Sequence, residues 1–134
     1  MHLLDTNHCI FLINRRYPGV ARRLSRQAVG SVAVSSVTVS ELWYGVGKSS
    51  RKEQNRAALA KFLLPLEIMP YGEEAAQAYG KIRPLLEKVG RSIGAMDLLI
   101  AAHALSLSAT LVTHNRGEFQ RVTGLKVEDW TGGS

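Results

Sequence analysis

Four acidic residues stand where the chain is otherwise apolar. Asp5 closes the run Leu3-Leu4, Glu41 precedes Leu42-Trp43-Tyr44, Asp97 interrupts the stretch from Ile93 to Leu107, and Glu118 follows Leu111-Val112-Thr113 after a short turn. A carboxylate at the edge of a core is costly unless a positive charge compensates it. Positions three and four residues away share a helix face. For Asp97 these are Ile93, Gly94, Ile100 and Ala101; for Glu41 they are Val37, Thr38, Tyr44 and Gly45. Neither acid finds a lysine or arginine on its own helix, and each has a glycine that leaves room for close approach. Two carboxylates about 4 Å apart repel by about 4 kcal/mol at an intermediate dielectric. A proton or a divalent cation must offset that repulsion. An all-oxygen donor set favours Mg²⁺ or Mn²⁺ over zinc. Such an ion keeps coordinated water, which can attack a phosphodiester while the metal stabilises charge developing on the phosphate. Each acid also has an ordinary use. Asp5 could cap a helix, Asp97 could support the start of one, and Glu41 and Glu118 could simply be solvated.

The elements that must position these acids alternate between strands and helices. A first strand covers His2 to Leu4, and Thr6 or Asn7 can cap a helix reaching about Asn14. Pro18 suits the first turn of a helix to about Gln27. A β-branched strand spans Ser31 to Val34, and Ser35 or Ser36 caps the helix that carries Glu41 through Tyr44. A helix follows over Arg51 to Leu64, a strand over Leu66 to Met69, and a helix over Glu73 to Val89 that Pro84 should kink. The helix Ala95 to Leu107 carries Asp97, and strands at Thr110 to Thr113 and Lys126 to Trp130 complete the pattern. This alternation predicts an α/β fold with a mostly parallel, roughly five-stranded sheet covered on both faces. Ligands of such sheets bind beyond the carboxyl ends of the strands, where all four acids can meet.

Composition limits what else the chain can be. At 134 residues it is long enough for one domain with its own core. The single cysteine, Cys9, excludes an internal disulfide and a thiolate zinc cluster, and its apolar surroundings mark it as a buried hydrophobe suited to a reducing cytoplasm. The apolar start contains Asp5 and lacks a basic lead, unlike a signal peptide. The apolar stretch Ile93 to Leu107 is shorter than the roughly 20 residues of a membrane span, so no membrane association is expected. Net charge is +6. It serves solubility or attraction to a polyanion such as nucleic acid.

The segments around the acids resemble, in order, the four motifs of PIN-domain ribonucleases. They are Leu3-Leu4-Asp5-Thr6-Asn7, Ser36 to Gly45 around Glu41, Ile93 to Ala104 around Asp97, and Leu111 to Phe119. The ending Val127-Glu128-Asp129-Trp130 fits as well. The resemblance spans essentially the whole chain, with residues 1–131 as a single PIN-like domain and 132–134 as a tail, and is nearest to VapC-type toxins. It implies a three-layer αβα fold and a Mg²⁺- or Mn²⁺-dependent endoribonuclease that blocks translation by cutting structured RNA, tRNA or rRNA. Asp5, Glu41 and Asp97 are then the core acids. Many PIN domains have aspartate where Asn115 stands, so Glu118 is expected as the fourth acid. Asn7, Thr113 and Asn115 are expected in support. The resemblance also implies a homodimer and a cognate VapB-type antitoxin whose tail occupies the acidic site, in a larger assembly.

Beside a phosphodiesterase site, the basic groups Arg15, Arg16, Arg22, Arg23 and Arg26, and Lys48, Arg51 and Lys52, become candidates for RNA-backbone contact. His8, His103 and His114 read as surface or core histidines, and Trp43 and Tyr44 as core or dimer packing. Two other functions are compatible with an acid at the end of a first strand. A phosphatase or phospho-acceptor domain would need an Asp-x-Asp pattern or paired acids near the start, which are missing. A non-catalytic RNA-binding module would not need Asp5, Glu41 and Asp97 intact.

Overall fold

A computed structural model describes residues 1–132. Five short strands form one parallel sheet in the order β3-β2-β1-β4-β5. They are β1 (His2–Leu4), β2 (Val32–Ser35), β3 (Glu67–Met69), β4 (Thr110–Val112) and β5 (Lys126–Glu128). Between them run α1 (Thr6–Ile13), α2 (Pro18–Ser25), α3 (Ser36–Gly47), α4 (Lys52–Leu63), α5 (Glu73–Lys88), α6 (Ala95–Ser106) and a single turn, α7 (Arg116–Phe119). Every strand pair is parallel, with Leu4 opposite Val34 on one side and Val112 on the other.

Side chains alternate across a strand, and the two faces of the sheet bury different sets. Leu3, Ala33 and Leu111 pack beneath Leu86 of α5, Leu98, Ile100 and Ala101 of α6, and Phe119 of α7. Leu4, Val34 and Val112 face Cys9 of α1, Val20 of α2, Leu42 of α3 and Leu59 of α4. The result is the expected three-layer αβα arrangement. Each fully buried aliphatic side chain contributes roughly 1.5–3 kcal/mol relative to exposure, and β1 is buried on both faces. Its carboxyl end is held by a strand on either side, and the next residue is Asp5.

The structure makes several local features specific. Asp5, not Thr6 or Asn7, caps α1. The backbone is still extended at Asp5, and its Oδ1 accepts the His8 N–H at 2.8 Å. A short carboxylate one residue past the strand end is placed for this bond, which Thr6 and Asn7, already inside the first turn, are not. Ser35 caps α3 by accepting the Val37 N–H at 3.0 Å. Pro84 lies on the exposed side of α5, which runs through it as one helix. The last strand stops at Glu128. Asp129 Oδ1 accepts from Thr131 N–H at 2.9 Å and from its hydroxyl at 2.7 Å, which draws the chain into a 3-10 turn over Trp130–Gly132. Of the expected tail, Gly132 closes that turn, and residues 133 and 134 lie outside the described residues.

Candidate active site

The four acids come from four chain segments and meet at the carboxyl edge of the sheet. Asp5 follows β1 and is 5% exposed. Glu41 lies on α3, directly after β2, and its Oε1 accepts the Thr6 hydroxyl at 2.6 Å. Asp97 sits in the first turn of α6, behind the Gly94 cap. A Cβ at Gly94 would stand 4.0 Å from Asp97 Oδ2, so the glycine lines the approach to that carboxylate. Glu118 lies on α7 after β4. Its Oε1 accepts the Gly94 N–H at 3.1 Å and its Oε2 accepts the Asn115 side-chain amide at 2.8 Å.

Electrostatics register the convergence. Burial, and then the carboxylates of Glu118, Asp5 and Glu41, push Asp97 up to about 6. The Asn115 amide holds Glu118 below the usual carboxylate range, helped by the Gly94 N–H, Asp97 and Arg121. A proton shared between Asp97 and Glu118 therefore resides on Asp97. Like charges gathered around Asp97, with no lysine or arginine drawing its carboxyl back down, call for a cation.

The donor set fits a hard divalent ion. All four groups offer carboxylate oxygen, and such ions are bound through one or two carboxylates with several waters retained. Among the described residues, no three Asp, Glu, His or Cys side chains are close enough to enclose an ion directly. Glu118 illustrates why, since both its oxygens are engaged by Gly94 and Asn115.

The supporting residues fall into two groups. Thr113 is fully buried and its hydroxyl accepts the Asn115 N–H at 3.0 Å, so Thr113, Asn115 and Glu118 form one relay. Asn7 is exposed on the first turn of α1. Sequence reasoning did not single out Thr6, Gly94 or His8 as site residues. Thr6 and His8 carried a signal, since both share the first turn of α1 with Asp5; Gly94 donates through its backbone, which no residue type announces.

The basic residues do not behave alike. Arg15, Arg16 and Arg22 are exposed around the α1–α2 connection, where Arg16 lies over the rings of Phe11 and Tyr17. Arg23 is engaged, paired with Glu128 at 3.2 Å and stacked 5.5 Å from the Trp130 ring. Lys48 covers the Tyr44 ring at 4.8 Å, and Arg51 and Lys52 are exposed at the start of α4. Trp43 and Tyr44 are exposed in the chain. Beside Glu41, a groove of roughly 230 Å³ runs between α1, α3 and α4, lined by Ile10, Ile13, Leu42 and Leu59 among others.

The model of the PIN domain matches residues 2–125, which include all four acids. The chain belongs to the PIN-domain family. It is 43% identical over 131 residues to ribonuclease VapC2 of Rickettsia felis, covering 97% of this chain and 98% of that protein. It is 41% identical over 129 residues to the tRNA(fMet)-specific endonuclease VapC of Shigella flexneri, covering 96% and 97%. The fold matches a chain in the crystal structure of VapBC2 from Rickettsia felis bound to a DNA fragment from their promoter. The TM-score there is 0.92 at 42% identity, over 96% of this chain and 98% of that one. The motifs noted in the sequence are thus those of a PIN domain of VapC type. No helix among the described residues is long and apolar enough to cross a membrane.

Proposed function

We propose that this chain is the ribonuclease toxin of a type II toxin–antitoxin pair, an endonuclease that cuts structured RNA with the help of Mg²⁺ or Mn²⁺. The observation that carries this reading is the position of Asp97, pushed up to about 6 at a point where Glu118, Asp5 and Glu41 also face inward. PIN-domain nucleases in general rely on divalent metal. When bound, the ion supplies a polarised water and neutralises charge on the scissile phosphate.

The protein's own groups then have distinct tasks. Asp5 and Asp97 would hold the cation, and Asp97, pushed up to about 6, would have to be deprotonated to do so. Glu41 is kept in place by the Thr6 hydroxyl, 2.6 Å from its Oε1. Glu118 is oriented by Asn115 and the Gly94 N–H, and sets its negative charge beside Asp97. Arg15, Arg16, Arg22, Lys48 and Arg51 bind the RNA backbone by charge. The VapC relatives are named as ribonucleases, one of them specific for tRNA(fMet); tRNA is the first substrate class to test here. A VapB-type antitoxin is the partner, and the active unit is a cytoplasmic homodimer.

The test is cleavage of total tRNA and rRNA by antitoxin-free protein, wild type and Asp5→Asn side by side, with Mg²⁺, Mn²⁺ or EDTA. Discrete fragments that require metal and disappear in the variant are expected. Equal fragments in the variant and in EDTA would identify a contaminating nuclease. Tight RNA binding without cleavage in any metal would assign a binding module instead.

A further inference from the structure

His8 occupies the third position of α1 and is 0% exposed. Its ring is held from two sides. The Trp130 N–H donates to Nε2 at 3.4 Å, while Nδ1 stands 3.4 Å from Asp5 Oδ1. An N–H can only donate, so Nε2 keeps its lone pair and the ring proton sits on Nδ1. Asp129 Oδ1 also approaches Nε2, at 3.7 Å, but that oxygen is already held by the backbone N–H and hydroxyl of Thr131. The tautomer is therefore set by the backbone of the final 3-10 turn. Nδ1 has no hydrogen-bond partner as the side chains stand, and a buried donor left unpaired is costly. The carboxylate 3.4 Å away belongs to Asp5.

We propose that His8 is a positioning residue for Asp5: its Nδ1–H, together with the His8 backbone N–H, holds Oδ1 from behind and leaves Oδ2 for the divalent cation. The inference rests on reading Asp5 as a metal ligand. The backbone N–H is already bonded to Oδ1 at 2.8 Å, and a small rotation of the carboxylate brings the ring donor to the same oxygen. A ligating carboxylate that is hydrogen-bonded from outside loses less freedom on binding metal, and removing such an outer partner costs roughly 10–100-fold in affinity. The arrangement also ties the site to the end of the chain. Trp130, 1% exposed, supplies the N–H that fixes the ring.

The experiment is Mn²⁺ titration of the full-length, antitoxin-free protein by calorimetry, with a thermal melt for each variant. His8→Asn puts an amide donor near the place of Nδ1, His8→Leu fills the space without a donor, and Asp97→Asn serves as control. His8→Leu is expected to weaken Mn²⁺ binding about 10-fold or more while His8→Asn stays within about threefold of wild type. If His8→Leu does not fold, His8→Gln, whose amide lies nearer the place of Nε2, must show the loss that His8→Asn escapes. Unchanged binding in His8→Leu, or in His8→Gln where that variant replaces it, overturns the proposal, as does equal loss in every His8 substitution. Undiminished Mn²⁺ binding in Asp97→Asn would instead overturn the metal site itself, and the role of His8 with it. Loss there beside an unmoved His8→Leu would remove only the role of His8.

Discussion

The Gly94 backbone N–H donates to Glu118 Oε1 at 3.1 Å, joining the loop before α6 to the turn after β4 at the mouth of the acidic cluster. This bond keeps the Glu118 charge beside Asp97, whose carboxyl is driven up first by burial and then by Glu118. Glu118→Gln preserves an acceptor for Gly94 and removes the charge. The midpoint of Asp97, followed by carboxyl-carbon NMR in metal-free protein, should fall below about 6 without reaching the ordinary aspartate range, because burial remains. A midpoint that does not move would show that Glu118 does not act on Asp97.

Stability should depend on pH in the direction set by Asp97. Its folded value lies above its unfolded one, so between the two the folded state holds the extra proton, and stability falls as pH rises through that window. The loss is complete above about 6 in the metal-free protein. Asp97→Asn removes it. At pH 7.5 that variant should be more stable than metal-free wild type by about 1 kcal/mol once solvent screening of the half-buried carboxylate is discounted, or roughly 3–5 °C in Tm. At pH 4 the difference should vanish. Mn²⁺ should raise the Tm of wild type more at pH 7.5 than at pH 5, since protons compete for the same carboxylate. A variant equally stable or less stable at pH 7.5 would contradict this account.

Thr6 tests the place of Glu41. Thr6→Val removes the hydroxyl that donates to Glu41 Oε1 at 2.6 Å. A hydrogen bond to a charged group is worth about 1.5–3 kcal/mol, so a loss of about 10- to 100-fold in kcat is expected together with a Tm lowered by several degrees. Thr6→Ser keeps the hydroxyl and should recover most of the rate. If Ser and Val variants cleave alike, the bond has no part in the reaction.

The arginines near α2 should separate into two kinds. Arg15→Gln, Arg16→Gln and Arg22→Gln each neutralise an exposed charge. Binding of single-stranded RNA should weaken, with a salt slope flatter by about 0.7 for each phosphate no longer neutralised. Arg23→Gln breaks an ion pair with Glu128 and a stack on Trp130, so it should lower Tm by a few degrees and leave the salt slope nearly unchanged. A common effect of all four on the slope would place Arg23 at the RNA as well.

The alternation of strand-length and helix-length apolar runs was enough to read a parallel α/β sheet, because strands buried on both faces, such as β1 and β4, leave uninterrupted apolar runs. The strand order was not legible, since strands of three or four residues carry little pairing information of their own. The neighbourhood of Asp5, Glu41, Asp97 and Glu118 was legible from apolar context and motif order. What surrounds them was harder to see. Asp5 serves as a cap as well as an acid, two uses that the sequence alone presents as alternatives. The turn α7 is too short to carry a periodic pattern. Arg23 looked like its neighbours until Glu128 and Trp130, over a hundred residues later, came to lie against it.

The central place of β1 bears on the order in which the acidic cluster is assembled. Asp5 is made well before β4, yet β1 gains its second neighbour only when β4 has been made, and Asp97 and Glu118 lie on either side of that strand in sequence. Trp130 seals the layer over β1 later still. A growing polypeptide therefore carries Asp5 and Glu41 with nothing to complete the cluster until β4 and α7 follow. The cluster of four acids exists only once the segments on both sides of β4 have folded against β1.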